Sequence, residues 1–175
     1  MKFRTESDTL GKVQIPSESL WGPQTQRSIN NFKIGNPGSM PIEIVYAYAI
    51  LKKACSKSNH ELGAIEKDKM ILISKACQEI LDGKHDEQFP LVIWQTGSGT
   101  QTNMNVNEVI SNVAHIIEGK SLSEDQKTLK PNDDINKSQS SNDTFPTAMH
   151  IAAYKLIVEK TIPAIKDFHK TLKKK

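Results

Sequence analysis

Residues Lys130–His150 read KPNDDINKSQSSNDTFPTAMH, and the passage from polar block to helix inside that stretch decides the architecture. Asn132, Asn136, Ser138, Gln139, Ser140, Ser141 and Asn142 crowd into eleven positions, and from Thr144 the pattern turns helical. Pro146 suits a first helical turn, where a missing N–H breaks no hydrogen bond. Beyond it Ile151, Val158, Ile165 and Leu172 recur every seven residues, with Tyr154, Thr161 and Phe168 between them. An apolar stripe of period 3.5 belongs to a helix packed inside a bundle. Pro163 predicts a kink in it, not a stop. Such a helix draws its stability from burying its seam. No later helix is there to bury it, so the reading expects a truncated chain whose parent continues past Lys175.

Upstream, Gln95–Asn103 (QTGSGTQTN) forms a second polar block before another helical pattern. Helix entrances carry backbone N–H groups without intrahelical partners, and neutral amides and hydroxyls add to them without discharging a bound anion. Two such entrances predict one small-molecule site with two walls. In the first block, Gly97 and Gly99 permit close backbone approach, Ser98 and Thr100 offer hydroxyls, and Thr102 or Asn103 is expected to cap the helix. No Gly-Lys-Ser/Thr follows, which excludes a P-loop. Taken alone, GSGT reads more readily as a flexible turn than as a binding loop. Ser138–Asn142 reads either as a capping loop or as ligand-binding groups. Asp133 and Asp134, being adjacent, are expected to serve solvation or local turn bonding.

The rest of the chain reads as mainly α. Lys2–Thr5 and Lys12–Ile15 predict a small hairpin around Asp8–Gly11. Pro16, Gly22, Pro23, Gly35, Pro37 and Gly38 punctuate a stretch expected to be mostly irregular. Helices are expected over Pro41–Lys57, Glu66–Asp82 and Asn103–Glu118, the last with Val106, Ile110, Val113 and Ile117 on one stripe. Gly83 and Gly119 sit where left-handed closing residues are wanted. Ser121–Leu129 reads as loop or one short turn. The organisation expected is a small N-terminal helical domain with its hairpin over residues 1–139, then the first long helix of a central bundle over 140–175.

Composition excludes several classes. Hydrophobic residues at 37% and charged residues at 25% describe an ordinary globular protein. A net charge of +3, almost all from lysine, gives no basic patch interleaved with aromatics, so no nucleic-acid partner is expected. No apolar run reaches a membrane span, and the N-terminus lacks the features of a signal or transit peptide, which makes the cytoplasm the default location. Cys55 and Cys77 have no metal-ligand or disulfide spacing and read as small buried hydrophobes. His60, His85, His115, His150 and His169 show no metal spacing, and His150 reads as a bundle histidine before a base. No nucleophile stands beside a base.

Trp94–Asn112 (WQTGSGTQTNMNVNEVISN) and Lys130–His150 closely resemble class II fumarase, of the fumarase/aspartase superfamily. Leu20–Ser28 (LWGPQTQRS) and Asp86–Gln95 (DEQFPLVIWQ) match the same family, so the resemblance runs from about residue 3 to the end. Aspartases tend to carry alanine within the GSGT position and a QSTND-type block, where this chain has Ser98 and QSSND. The resemblance implies reversible hydration of fumarate to L-malate through an aci-carboxylate carbanion, in the tricarboxylic acid cycle, with no metal and no organic cofactor. It implies that Ser98, Gly99 and Thr100 form one wall of the substrate site and Ser140, Ser141 and Asn142 the other. Thr100 and Asn142 are the expected carboxylate contacts. A secondary anion site maps onto Lys130, Pro131, Asn132 and Asp133, although the family usually has histidine where Lys130 stands. Lysine there would still attract an anion but would not titrate near neutral pH.

The family's catalytic histidine lies in a GRTHLQDA-like segment, and its catalytic serine and a substrate lysine lie in a GSSxMPxKxN loop. Neither segment occurs in this chain, so no catalytic residue is expected within it and the piece alone is expected to be inactive. The family assembles each site from three subunits of a homotetramer built around a helical bundle. Two alternatives stand beside this reading: another lyase of the superfamily, aspartase-like, and a non-catalytic helical interaction module using the Ile151–Leu172 seam.

Overall fold

A computed structural model describes residues 2–123 and 126–174 of the 175. Strands β1 (Phe3–Asp8) and β2 (Gly11–Pro16) pair antiparallel with Arg4 opposite Ile15. The turn between them closes through the Leu10 N–H on Asp8 Oδ1 at 2.9 Å, and Gly11 takes φ +105°. Helices follow as α1 (Pro23–Asn31), α2 (Ile42–Glu61), α3 (Lys67–Leu81), α4 (Thr100–Ile117), α5 (Ser141–Leu156) and α6 (Ile162–Lys173). A 3₁₀ turn at Asp86–Gln88 and π-helical turns at Pro131–Ile135 and Ile157–Thr161 complete the order. The hairpin and the mainly helical class agree with the sequence.

The core lies between α2, α3, α4 and the first half of α5. Tyr48, Ile73, Cys77, Ile80, Val106, Val109, Ile110 and Ala148 are fully buried there. Each large aliphatic side chain so buried contributes about 1.5–3 kcal/mol. Helix α4 sits at the centre, and every residue from Asn105 through His115 is buried. The sequence showed only its apolar stripe. The remaining faces carry polar side chains, several of which reach the chain between helices: Asn105 Nδ2 donates to Gln88 O at 3.1 Å, Asn112 Nδ2 to Leu20 O at 2.7 Å, and Ser111 Oγ to Leu129 O.

Glu108 does the most. Its carboxylate accepts from the N–H groups of Gly22 (2.9 Å), Gln24 (2.7 Å) and Thr25 (3.1 Å) and from the Thr25 hydroxyl (2.6 Å). It therefore caps the N-terminus of α1 from a different helix, where negative charge meets the helix dipole. Burial pushes its carboxyl pKa up, and these donors oppose that shift. Arg4 anchors the hairpin in the same way, its guanidinium reaching the carbonyls of Pro16 (3.0 Å), Ser17 (3.2 Å), Ser19 (2.6 Å) and Trp21 (2.8 Å).

Three expectations are corrected. The stretch expected to be irregular contains α1, whose buried face is Thr25 and Ser28 and so carries no apolar period. Helix α4 starts at Thr100, not Asn103, and neither Thr102 nor Asn103 caps it: Gly99 holds that position with φ +64°. Gln95 Oε1 instead accepts from the Thr102 N–H (2.9 Å) and hydroxyl (3.0 Å). Helix α5 starts at Ser141, so Pro146 lies inside it. Of Ser121–Leu129, the described residues form no helix, and Glu124 and Asp125 lie outside the described residues.

The seam through α5 and α6 stays open to solvent. Tyr154, Ile165, Phe168 and Leu172 are all more than half exposed, and no residue from Ala153 to Lys174 is buried. Before Pro163, the Ile162 N–H bonds back to Ile157 O in a π turn, and the helix continues beyond the proline without a break. Among the described residues no helix is long and apolar enough to cross a membrane.

Glu108→Gln would turn one oxygen of the α1 cap into an N–H₂ facing N–H donors. Urea denaturation of the intact protein should show a loss of about 2–4 kcal/mol; an unchanged midpoint would contradict the capping role.

Candidate functional site

The two polar blocks meet. Thr100 Oγ1 lies 3.1 Å from Ser141 Oγ and 3.3 Å from Ser98 Oγ, so three hydroxyls line up across the entrances of α4 and α5. Two local structures bring them there. The Thr96–Thr100 turn closes through the Gly99 N–H on Thr96 O at 3.3 Å and aims α4 at its neighbour. On the other side Ser140 caps α5 with a reciprocal box: its hydroxyl accepts the Asn142 N–H at 3.3 Å, and Asp143 Oδ1 accepts the Ser140 N–H at 3.2 Å. The capping reading of Ser138–Asn142 is thus realised for Ser140. Thr100 and Asn142 stay exposed, and the Asn142 side chain makes no hydrogen bond among the described residues.

Gly99 makes the junction possible. It is buried in the left-handed region, and a Cβ built on it would lie 2.3 Å from the Phe145 ring of α5. Its absent side chain lets the two entrances approach. The N–H groups of Thr100, Gln101 and Ser141 have no hydrogen-bond partner among the described residues. Free N–H groups, hydroxyls and two helix dipoles converge, and together they favour an anion.

Sequence reasoning passed over what lies behind this junction. Lys52 of α2 is fully buried, and its Nζ donates to Asn103 Oδ1 at 2.7 Å, Gln139 Oε1 at 2.9 Å and Asn136 Oδ1 at 3.0 Å. A lysine within a run reading KKACSKS resembles a solvated face, and no pattern marks it as buried. Its burial drives the ammonium pKa down to about 7. Ser138, between these partners, takes φ +60°, a left-handed conformation uncommon outside glycine.

Lys130–Asp133 lies apart in the chain, entering the π turn at Pro131–Ile135. Lys130 and Asp133 are exposed and 4.0 Å apart. The Lys130 N–H is bonded to Asp134 Oδ2 at 2.7 Å, and Asp134 also pairs with Lys69 at 2.7 Å. Local bonding therefore accounts for Asp134. His150 is exposed. Among the described residues no group of His, Cys, Asp and Glu is placed to hold a metal ion.

The sequence profile of a family described as lyase matches residues 11–175, and the chain belongs to that lyase family. Its relatives narrow the class. The chain is 60% identical over 175 residues to the class II fumarate hydratase of Pasteurella multocida, covering 100% of this chain and 38% of that one. It is 60% identical over 171 residues to the class II fumarate hydratase of Haemophilus influenzae, covering 98% and 37%. The crystal structure of class II fumarase from Schistosoma mansoni superposes with a TM-score of 0.88 at 44% identity, covering 94% of this chain and 34% of that one. The chain thus spans little more than a third of the length of these relatives.

Gly99→Ala should destabilise the intact protein by about 2–5 kcal/mol, through the left-handed backbone and the clash with Phe145. Adding Phe145→Leu should make the double loss smaller than the sum of the single losses; additive losses in chemical denaturation would show that the contact is not shared.

Proposed function

We propose that this chain is the N-terminal part of a fumarate hydratase, and that the intact protein reversibly adds water to fumarate to give L-malate. The observation that carries the reading is the 3.1 Å contact between Thr100 and Ser141 across two helix entrances, set beside the 60% identity to class II fumarate hydratases. Ser98, Gly99 and Thr100 form one wall of the substrate site, and Ser140, Ser141 and Asn142 the other. Residues 1–139 form the N-terminal domain, and 140–175 begin the central bundle.

The chemistry fits neutral donors. Removing a proton beside a carboxylate moves charge onto that carboxylate, and fixed N–H and O–H groups stabilise it best when they need no reorganisation. Hydroxyls and amides do this without protonating the intermediate. Ser140 only accepts in its cap, so its O–H remains to donate beside Ser141, with Thr100 and Asn142 on the substrate carboxylates. No organic cofactor or metal enters the proposal. Proton transfer comes from segments outside this chain, and the piece alone is inactive. The open α5–α6 seam calls for packing partners in the intact protein, and the proposed assembly is a homotetramer around the bundle. The proposed setting is the tricarboxylic acid cycle, in the cytoplasm. Lys130, Pro131, Asn132 and Asp133 form an outer anion site that is dispensable for turnover.

In the intact protein, loss of fumarate absorbance with L-malate formation is the expected result; ammonia-dependent aspartate formation instead would move the assignment to an aspartase-like lyase. Thr100→Ala and Asn142→Ala should each cost about 2–4 kcal/mol of transition-state stabilisation, read from kcat/KM. Lys130→Ala should leave kcat almost unchanged.

A further inference from the structure

Lys52 joins the two polar blocks from behind. Asn103 lies one turn beyond Thr100 on α4, while Gln139 directly precedes the Ser140 cap of α5, and both accept from the same ammonium. Asn136 supplies the third oxygen. Three N–H donors thus meet three neutral acceptors. The acceptors are themselves tied down. Asn103 Nδ2 donates to Asn136 Oδ1 at 3.0 Å, Asn136 Nδ2 to Gln139 O at 3.1 Å, and Gln139 Nε2 to Ile135 O at 2.9 Å.

The charge has no carboxylate in contact. The titratable groups that face it are Cys55 on its own helix, Cys77 on α3 and Asp143 on α5, with the Tyr48 ring centroid 5.7 Å away. Burial raises both thiols, Cys77 to about 12, so they stay neutral near pH 7. Asp143 is engaged in the α5 capping box. A buried ammonium without a counter-ion is costly. An anion held at the adjoining helix entrances would supply the missing charge.

We propose that Lys52 is the positioning residue of this anion site: it locks Asn103, Asn136 and Gln139, and with them both helix entrances, while an incoming dicarboxylate completes its charge. The inference rests on the dicarboxylate reading of the site given above. With its pKa at about 7, Lys52 of the empty site loses its proton across the neutral range. The free amine keeps two donors, so one of the three carbonyls loses its bond to Lys52; Asn136 Oδ1 still accepts from Asn103 and Asn107, whereas Gln139 Oε1 has Lys52 as its donor. A bound dianion favours the charged form and raises the pKa. Between the empty-site and occupied-site pKa values, binding therefore takes up a proton, and affinity falls as pH rises through that window.

The test uses the intact protein and succinate, a dicarboxylate that cannot be hydrated. Calorimetry at about pH 8, in buffers of different ionisation enthalpy, should show uptake of a fraction of a proton, and the succinate Kd should rise about threefold or more between about pH 6.5 and 8.5. In Lys52→Met the uptake and the slope should vanish, the Kd at about pH 6.5 should rise about tenfold, and KM for fumarate should change more than kcat. Wild-type binding without proton uptake overturns the proposal, whether or not the variant folds. So does a folded Lys52→Met protein that keeps the wild-type slope. If the intact protein hydrates fumarate but shows neither effect, only the role of Lys52 fails. If it neither hydrates fumarate nor binds succinate, the dicarboxylate reading falls and takes this inference with it.

Discussion

Along its central stretch helix α4 has no solvent face, so the polar groups it carries there depend on protein partners. Between Asn105 and His115 all of its side chains are buried, and half of that stretch is polar. Amides, a hydroxyl and a carboxylate in that position would each cost a few kcal/mol if left unpaired. They are paired mainly with backbone outside the central packed helices: the Leu20 and Leu129 carbonyls, the N-terminus of α1 at Gly22–Thr25, and the 3₁₀ turn at Gln88. Loops normally follow the surface because their own backbone groups need partners. Here the central helix provides those partners, so α4 fixes the connections as firmly as apolar packing fixes α2 and α3. Three atoms go without: Asn107 Oδ1, Asn112 Oδ1 and His115 Nδ1 are buried with no hydrogen-bond partner among the described residues.

The candidate site inherits its geometry from the end of that helix. Since α4 cannot shift without breaking its side-chain contacts, Thr100 is fixed at its entrance. The contact of Gly99 with Phe145 then sets how closely α5 approaches. Exposed hydroxyls are thereby held by buried structure, which is the preorganisation that charge stabilisation needs. Flexible loops could present the same groups, but would have to order them during reaction.

Much of this was legible beforehand. The 3.6-residue apolar periods of α2, α3 and α4 lie in Ile44, Val45 and Tyr48, in Ile73, Cys77 and Ile80, and in Val106, Ile110 and Val113. The resemblance of the GSGT and QSSND blocks to class II fumarases pointed to lyase relatives. What escaped has a common cause: burial of polar residues leaves no hydrophobic signal. Helix α1 packs through Thr25 and Ser28, α4 buries its asparagines, and Lys52 looks like any surface lysine. The starts of α4 and α5 were misplaced for another reason. The Ser140–Asp143 capping box opens α5 well ahead of Pro146, and a left-handed glycine, Gly99, begins α4.

Cys77 lies in the middle of α3 with no exposed surface and a thiol held neutral. Only the thiolate reacts readily with electrophiles. Alkylation at this position therefore requires α3 to lift from its neighbours first. At neutral pH its rate becomes a native clock for opening of the helical core, one that needs no engineered label and that half-buried Cys55 cannot imitate.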